Sequence, residues 1–341
     1  MATSLRQSTI RNCVTAVVTP MTSNRELDLA HFRNLLDFQR KYGVEDIVVN
    51  GTTGESPTTS GVEKRELILR ALRLEAKVIA GCGTNDTGHT IHLTEEATRE
   101  GATSVLLVDP YYNGPSSLEI MHEYYEPVLS RFEGTEFIAY TIPGRTGCAL
   151  SAEHLAELHQ RYPNLTTVKE ATGDPNLNNA RKIRALSNIA IMSGDDPLTF
   201  KMMVDETVRA AGVISVISNI VPQAVQQLCR SVGDFDDDAH LRSVLDLQSK
   251  LAPLFELVTV KVGGEKFRNP VPIKTIMAGL GMISYSVRQP LGRMTKEAVD
   301  YVRNVLTKVW EDSPELLRPI QEFYAVDIAK RLERDENWIH Y

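Results

Sequence analysis

The sequence predicts an α/β fold, a (β/α)8 barrel followed by a C-terminal helical extension, and three observations carry that expectation. Eight short β-prone runs alternate with segments of helical length between the N-terminus and residue 232. Several of these runs are near-continuously apolar rather than alternating, the pattern of parallel strands covered on both faces. No GxGxxG follows a strand, which weighs against the competing arrangement, an open doubly wound sheet that binds a dinucleotide.

In chain order the candidate strands are VTAVVTP (14–20), DIVVNG (46–51), KVIAG (77–81), SVLLVDP (104–110), EFIAYTI (136–142), LTTVKEA (165–171), IAIMSGDD (189–196) and GVISVIS (212–218). The segment LDLAHFRNLLDFQRKYG (27–43) repeats leucine and phenylalanine at helical spacing and ends on a glycine suited to a C-cap. SAEHLAELHQRYP (151–163) is a second such helix. The expected division is a catalytic barrel over 1–232 and a helical region over 233–341. That second region either packs on the barrel or forms a small bundle. Within it GGEKFRNPVP (263–272) reads as a loop, with two glycines and two prolines. The tail beyond about residue 312 has the apolar spacing of an amphipathic helix, laid on the barrel or on a partner subunit.

Bulk composition narrows the function. The chain has 341 residues, a formal charge of −7 and a pI near 5.7, so no basic excess exists to meet nucleic-acid phosphates. No run of 18 apolar residues suggests a membrane span, and MATSLRQSTIRN lacks the apolar core of a secretory leader. Cys13, Cys82, Cys148 and Cys229 are scattered without CxxC pairing, which fits a reduced, cytoplasmic setting.

In a β/α barrel the residues that follow each strand share one mouth. Here they are Thr52, Thr53 and Glu55, then Tyr111 and Tyr112, Tyr140 and Arg145, Lys169 and Glu170, Ser193 with Asp195 and Asp196, and finally Ser215 and Ser218. The set is rich in hydroxyls and has one lysine and one arginine. It holds no histidine. A lysine stripped of water is disfavoured as an ammonium, and the neutral amine can attack a carbonyl to form an imine. An imine beside an acidic C–H becomes an enamine, a carbon nucleophile. The other reading of Lys169 is an ion pair at the barrel rim. GTTGE can be a plain tight turn or a clasp of N–H groups and hydroxyls around a small carboxylate. PYYN alone can be packing between subunits.

Together, GTTGES (51–56), PYYNGPS (110–116), YTIPGRTG (140–147), VKEATGD (168–174), SGDD (193–196), GVISVISN (212–219) and NPVPIK (269–274) resemble the dihydrodipicolinate synthase family in order and spacing. The resemblance implies that Lys169 forms a Schiff base with pyruvate and that Tyr140 is the general acid/base. It implies a hydroxyl relay of Thr52, Tyr112 and Tyr140, with the relay tyrosine arriving from a neighbouring subunit, hence a homo-oligomer. Thr53 would hold the pyruvate carboxylate, Arg145 the carboxylate of aspartate semialdehyde, and Gly194 and Ile214 would line the pocket. No metal or organic cofactor is implied. Thr141 stands where the family usually has asparagine, which touches the choice of second substrate. The wider superfamily, with N-acetylneuraminate lyase and 2-keto-3-deoxy acid aldolases, supplies the rival activity. Ser56, Asn85 and Tyr111 are candidate residues of a lysine effector site. Gly61 and His89, however, occupy positions where lysine-sensitive relatives carry a histidine or tryptophan and an acid, so weak feedback is expected.

Two acidic or histidine-bearing stretches read as surface rather than site. HTIHLTEE (89–96) lacks HExxH spacing and suits an exposed helix face. DFDDDAH (234–240) lacks the glycine and closing glutamate of a calcium loop and suits a helix N-terminus. His154 and His159 are expected at the surface or with satisfied partners.

Overall fold

The computed structural model describes residues 7–232 and 237–341. The first six residues of the segment read for a leader, and residues 234–236 of the acidic run, lie outside the described residues. Eight parallel strands close into a barrel: β1 (Asn12–Ala16), β2 (Asp46–Val49), β3 (Lys77–Gly81), β4 (Ser104–Val108), β5 (Glu136–Thr141), β6 (Leu165–Glu170), β7 (Ala190–Ser193) and β8 (Gly212–Ser215), with β8 pairing back on β1. Seven fall within the expected apolar runs, and β1 overlaps its run but begins two residues earlier, at Asn12.

Two cores follow from the period of two along each strand. Val14, Ala16, Val48, Ile79, Leu106, Ile138, Tyr140, Met192 and Ile214 point into the barrel, and Ile10 joins them there. Cys13, Ile47, Val49, Val105, Leu107, Phe137, Val168 and Ile191 point outwards beneath the helices. The helix Leu29–Lys41 shows how local sequence and packing agree. Asp28 caps its start by accepting the His31 N–H, it buries Phe32, Leu35, Leu36 and Phe38, and Gly43 follows at φ +87°. The helix Ala152–Arg161 starts at Ser151 in the same way, and His159 is buried with both ring nitrogens engaged, by the Leu165 carbonyl and Asn188. His89 and His92 lie on the exposed face of the helix Thr87–Arg99. Asp237 caps the helix Asp238–Phe255, as expected for an acid at a helix start.

Beyond the barrel two expectations change. Residues 263–272, read as a loop, contain half of a hairpin. β9 (Thr259–Val262) and β10 (Glu265–Arg268) pair antiparallel around Gly263 and Gly264, both at positive φ as a tight hairpin turn requires. The tail is not one helix. After the helix Lys296–Asp312 the chain turns at Pro314 and continues as two short helices, Arg318–Tyr324, with Pro319 in its first turn, and Ile328–Glu333, the two separated at Ala325, which has φ +54°. These pack on the same chain. Phe323 and Tyr324 meet Phe38 with ring centroids 5.4 and 5.5 Å apart, and the Tyr42 hydroxyl donates to the Pro319 carbonyl at 3.1 Å. Trp338 is buried against Gly279, at the end of the helix Val271–Gly279. No helix among the described residues is long and apolar enough to cross a membrane.

Candidate active site

Lys169 is the next-to-last residue of β6, and its register partners are Tyr140 on β5 and Met192 on β7. Val168 packs in the outer core, so the alternation of a strand turns Lys169 inwards, where it is 5% exposed. Its Nζ stands 4.2 Å from the centroid of the Tyr140 ring. Gly194 makes the room on the other side. A Cβ there would lie 3.1 Å from Lys169 Cε, 3.0 Å from the Glu170 carbonyl oxygen and 2.6 Å from Ala171 Cβ.

Above Tyr140 a cavity of about 460 Å³ opens at the C-terminal ends of the strands. Thr52, Tyr140, Arg145, Tyr112, Ser56 and Tyr111 all line it. Thr53, Gly194, Ile214 and Lys169 are not part of its wall: Thr53 is buried beside Thr52, Ile214 shares the barrel interior with Tyr140, and Lys169 stands against the Tyr140 ring. Thr141, also buried, follows Tyr140 at the end of β5. Of the three candidate effector residues, Ser56 and Tyr111 line this cavity, and Asn85 is an exposed residue outside its lining. Tyr112 has φ +84°, a strained value for a residue with a side chain, and the residue is 89% exposed. Among the described residues no hydrogen bond joins Thr52, Tyr112 and Tyr140.

The loop Gly51–Ser56 is held from below. Gly54 and Ser56 donate N–H bonds to the Gly51 carbonyl, and Thr19 Oγ1 donates to Gly54 O at 2.8 Å. Glu55, at φ +58°, is driven inwards to meet Lys274 from the C-terminal region. That ion pair is fully buried on both sides at 2.6 Å, and Lys274 also donates to the Thr19 carbonyl. Asn269, from the same region, donates through Nδ2 to Thr53 Oγ1, and its carbonyl accepts from Arg145 Nη2, both at 2.9 Å. The sequence reading assigned no part to Lys274 or Asn269. Their only signal was membership of the NPVPIK motif.

The acids at the mouth divide. Asp196 is buried and tied to β8 by Ser215 Oγ and the N–H groups of Val216 and Ile217. Asp195 keeps a buried Oδ2 without a partner. Burial pushes its carboxyl up to about 6, with Glu170 adding to the rise and Lys169 opposing it. Asp109, beneath the PYYN loop, accepts from the Tyr125 hydroxyl and the Leu150 N–H, and burial raises it to about 7.

The profile of the dihydrodipicolinate synthetase family matches residues 9–309, which span the whole barrel. The 4-hydroxy-tetrahydrodipicolinate synthase of Trichlorobacter lovleyi is 38% identical over 292 residues, covering 84% of this chain and 93% of that protein. The crystal structure of dihydrodipicolinate synthase from Thermotoga maritima superposes with a TM-score of 0.79 at 32% identity, over 89% of this chain and 99% of that one. A structure described as the first monomeric dihydrodipicolinate synthase variant superposes with a TM-score of 0.78, again at 32% identity, over 88% and 96%. Sequence and structure thus agree over the same stretch, and this chain belongs to the dihydrodipicolinate synthetase family.

Proposed function

We propose that this chain is a lyase that condenses pyruvate with L-aspartate 4-semialdehyde to give 4-hydroxy-tetrahydrodipicolinate, in the cytoplasmic route to diaminopimelate and lysine. The observation that carries this reading is Lys169, an amine 5% exposed at the end of a barrel strand and 4.2 Å from the ring of Tyr140, which itself lines an open cavity. The amine attacks the keto carbon of pyruvate, and water leaves as the C=N bond forms. Loss of a methyl proton gives the enamine, which adds to the aldehyde carbon of the second substrate. The amine of that substrate then attacks the imine carbon, Lys169 departs and the six-membered ring closes. Tyr140 passes protons at the imine, with Thr52 and Tyr112 as its relay. Thr53 holds the pyruvate carboxylate and Arg145 that of the semialdehyde. In this reading the chain divides into a catalytic barrel over 1–232 and a C-terminal helical region over 233–341.

The exposure of Tyr112 supports a homo-oligomer in which this residue completes the relay of a neighbouring copy. The test of the whole reading is borohydride reduction in the presence of pyruvate, followed by peptide mass spectrometry. Modification of Lys169 alone is expected, and modification elsewhere or nowhere overturns it. A coupled assay with aspartate semialdehyde, run against sialic acid and a 2-keto-3-deoxy sugar acid, separates this activity from the rival aldolases.

A further inference from the structure

Asn269 stands between β10 and the helix Val271–Gly279, far in sequence from every barrel strand, and is 5% exposed. Most of its polar groups are committed. The backbone N–H donates to Val258 O at 3.1 Å, the carbonyl accepts from Arg145 Nη2, and the side-chain Nδ2 donates to Thr53 Oγ1. Oδ1 is buried with no donor facing it. A buried amide oxygen without a partner is costly, so the orientation of this amide needs a reason.

The reason lies in what a hydroxyl can do. Thr53 Oγ1 has one hydrogen and two lone pairs. Because Asn269 donates into a lone pair, the hydrogen is not consumed by the protein. Among the described residues it has no acceptor. A hydroxyl that accepts one hydrogen bond is also a stronger donor in the next. The same residue, through its backbone carbonyl, holds one corner of the Arg145 guanidinium and leaves the other N–H groups of the fork uncommitted.

We propose that Asn269 is the positioning residue for carboxylate recognition at this site. Its amide keeps the Thr53 hydroxyl in the donating sense toward the pyruvate carboxylate, and its carbonyl sets the Arg145 fork. Resting on the pyruvate-imine reading, it adds a specificity element supplied from outside the barrel. The two halves are separable by mutation, since substitution by Asp or Ala removes the amide and keeps the backbone carbonyl. Loss of the amide therefore weakens pyruvate capture and spares the semialdehyde.

The test uses the full-length chain with Asn269→Asp, Asn269→Ala, Thr53→Val and the Thr53→Val/Asn269→Ala double variant. The readouts are the pyruvate concentration giving half-maximal borohydride trapping at Lys169, KM for each substrate, and Tm. Asn269→Asp at neutral pH turns the donor into an anionic acceptor that takes up the Thr53 hydrogen beside the substrate carboxylate. It is expected to raise the pyruvate requirement about tenfold or more. KM for semialdehyde should stay within about twofold, because the Arg145 anchor persists. As pH falls and the new carboxyl protonates, its O–H can donate again, so the defect relative to wild type should shrink. Thr53→Val and Asn269→Ala should be non-additive for pyruvate.

If Asn269→Asp traps pyruvate as wild type does, the amide accepts rather than donates, and the proposal falls. Equal losses for both substrates in step with a fall in Tm would make Asn269 a structural residue only and would overturn it too. Should Asn269→Asp fail to fold, the Asn269→Ala and Thr53→Val cycle decides, and additive effects refute the coupling. Wild-type protein that gains no adduct at Lys169 sinks the imine chemistry itself, a result distinct from all of these.

Discussion

Gly194→Ala is the smallest change that should disable Lys169 without touching it. The added methyl carbon would sit 2.6 Å from Ala171 Cβ, where unbonded carbons prefer about 3.5–4.0 Å, so roughly 1 Å of space is lacking. Two of its three neighbours, Ala171 Cβ and the Glu170 carbonyl oxygen, belong to the end of β6, and that carbonyl accepts the Gly194 N–H at 2.7 Å. Neither can swing aside as a rotamer. The third, Lys169 Cε at 3.1 Å, can, so the methyl forces β6 and β7 apart or pushes the amine from its place above the Tyr140 ring. Overpacking of this kind costs about 1–3 kcal/mol, a Tm drop of a few degrees for a chain of this size. The functional loss should be disproportionate, because a displacement near 1 Å of a reacting group lowers a rate about 100-fold. Single-turnover trapping of the pyruvate adduct reads the first chemical step directly, and differential scanning calorimetry reads stability. Adduct formation within about threefold of wild type would refute the geometry from which the loss is worked.

Other substitutions probe separate parts of the molecule. Lys274→Met should cost about 3–5 kcal/mol in urea unfolding by stranding the buried Glu55 carboxylate, and adding Glu55→Gln should recover part of that loss. Arg288 donates to both carboxylate oxygens of Glu63 and pulls its carboxyl down to about 2, chiefly through those bonds. A depressed carboxyl stabilises the fold above its ordinary value near 4.5, and the gain disappears as pH falls toward 2. Glu63→Gln should therefore cost only about 1 kcal/mol at neutral pH, given the pair's partial exposure, and progressively less in acid titrations of stability. Trp338→Ala removes the ring that covers Gly279 and should destabilise by about 3–5 kcal/mol, lowering Tm before it lowers pyruvate affinity. Lysine should not half-inhibit at sub-millimolar concentration in steady-state assays, since a histidine, His89, stands where lysine-sensitive relatives are expected to carry an acid.

The barrel was legible because its strands are hydrophobic on both faces, their number is eight, and no dinucleotide-binding GxGxxG favoured the open doubly wound sheet, which shares the same strand pattern. Lys169, Tyr140, Thr52 and Arg145 could be read as residues of one mouth, since strand ends in a closed barrel must converge. The hairpin β9–β10 was not legible, although Gly263-Gly264 is a hairpin signal. Its strands are four residues each and bury only Val260, so Lys261, Glu265 and Lys266 read as loop. The contact between Asn269 and Thr53 joins residues 216 positions apart, and no local pattern encodes a partner at that distance. The end of the helix Lys296–Asp312 was written in Pro314, but the break between the two short helices falls at Ala325, an alanine in the left-handed region, which no sequence rule would place there.

The C-terminal region explains how a barrel mouth made of loops can hold a carboxylate rigidly. Loops at strand ends are ordinarily the mobile part of a barrel, whereas recognition of a small anion needs donors fixed to a fraction of an ångström. Here the fixing comes from one helix. Its N-terminal flank carries Asn269 against Thr53 and Arg145, its middle carries Lys274 against Glu55, and its C-terminal end is covered by Trp338 and bonded by Arg331 through the carbonyls of Ala278 and Gly279. The tail that lies past the family match therefore braces the far end of the same helix whose near end sets the substrate donors. Rigidity at the mouth and burial of the tail are, on this geometry, one property.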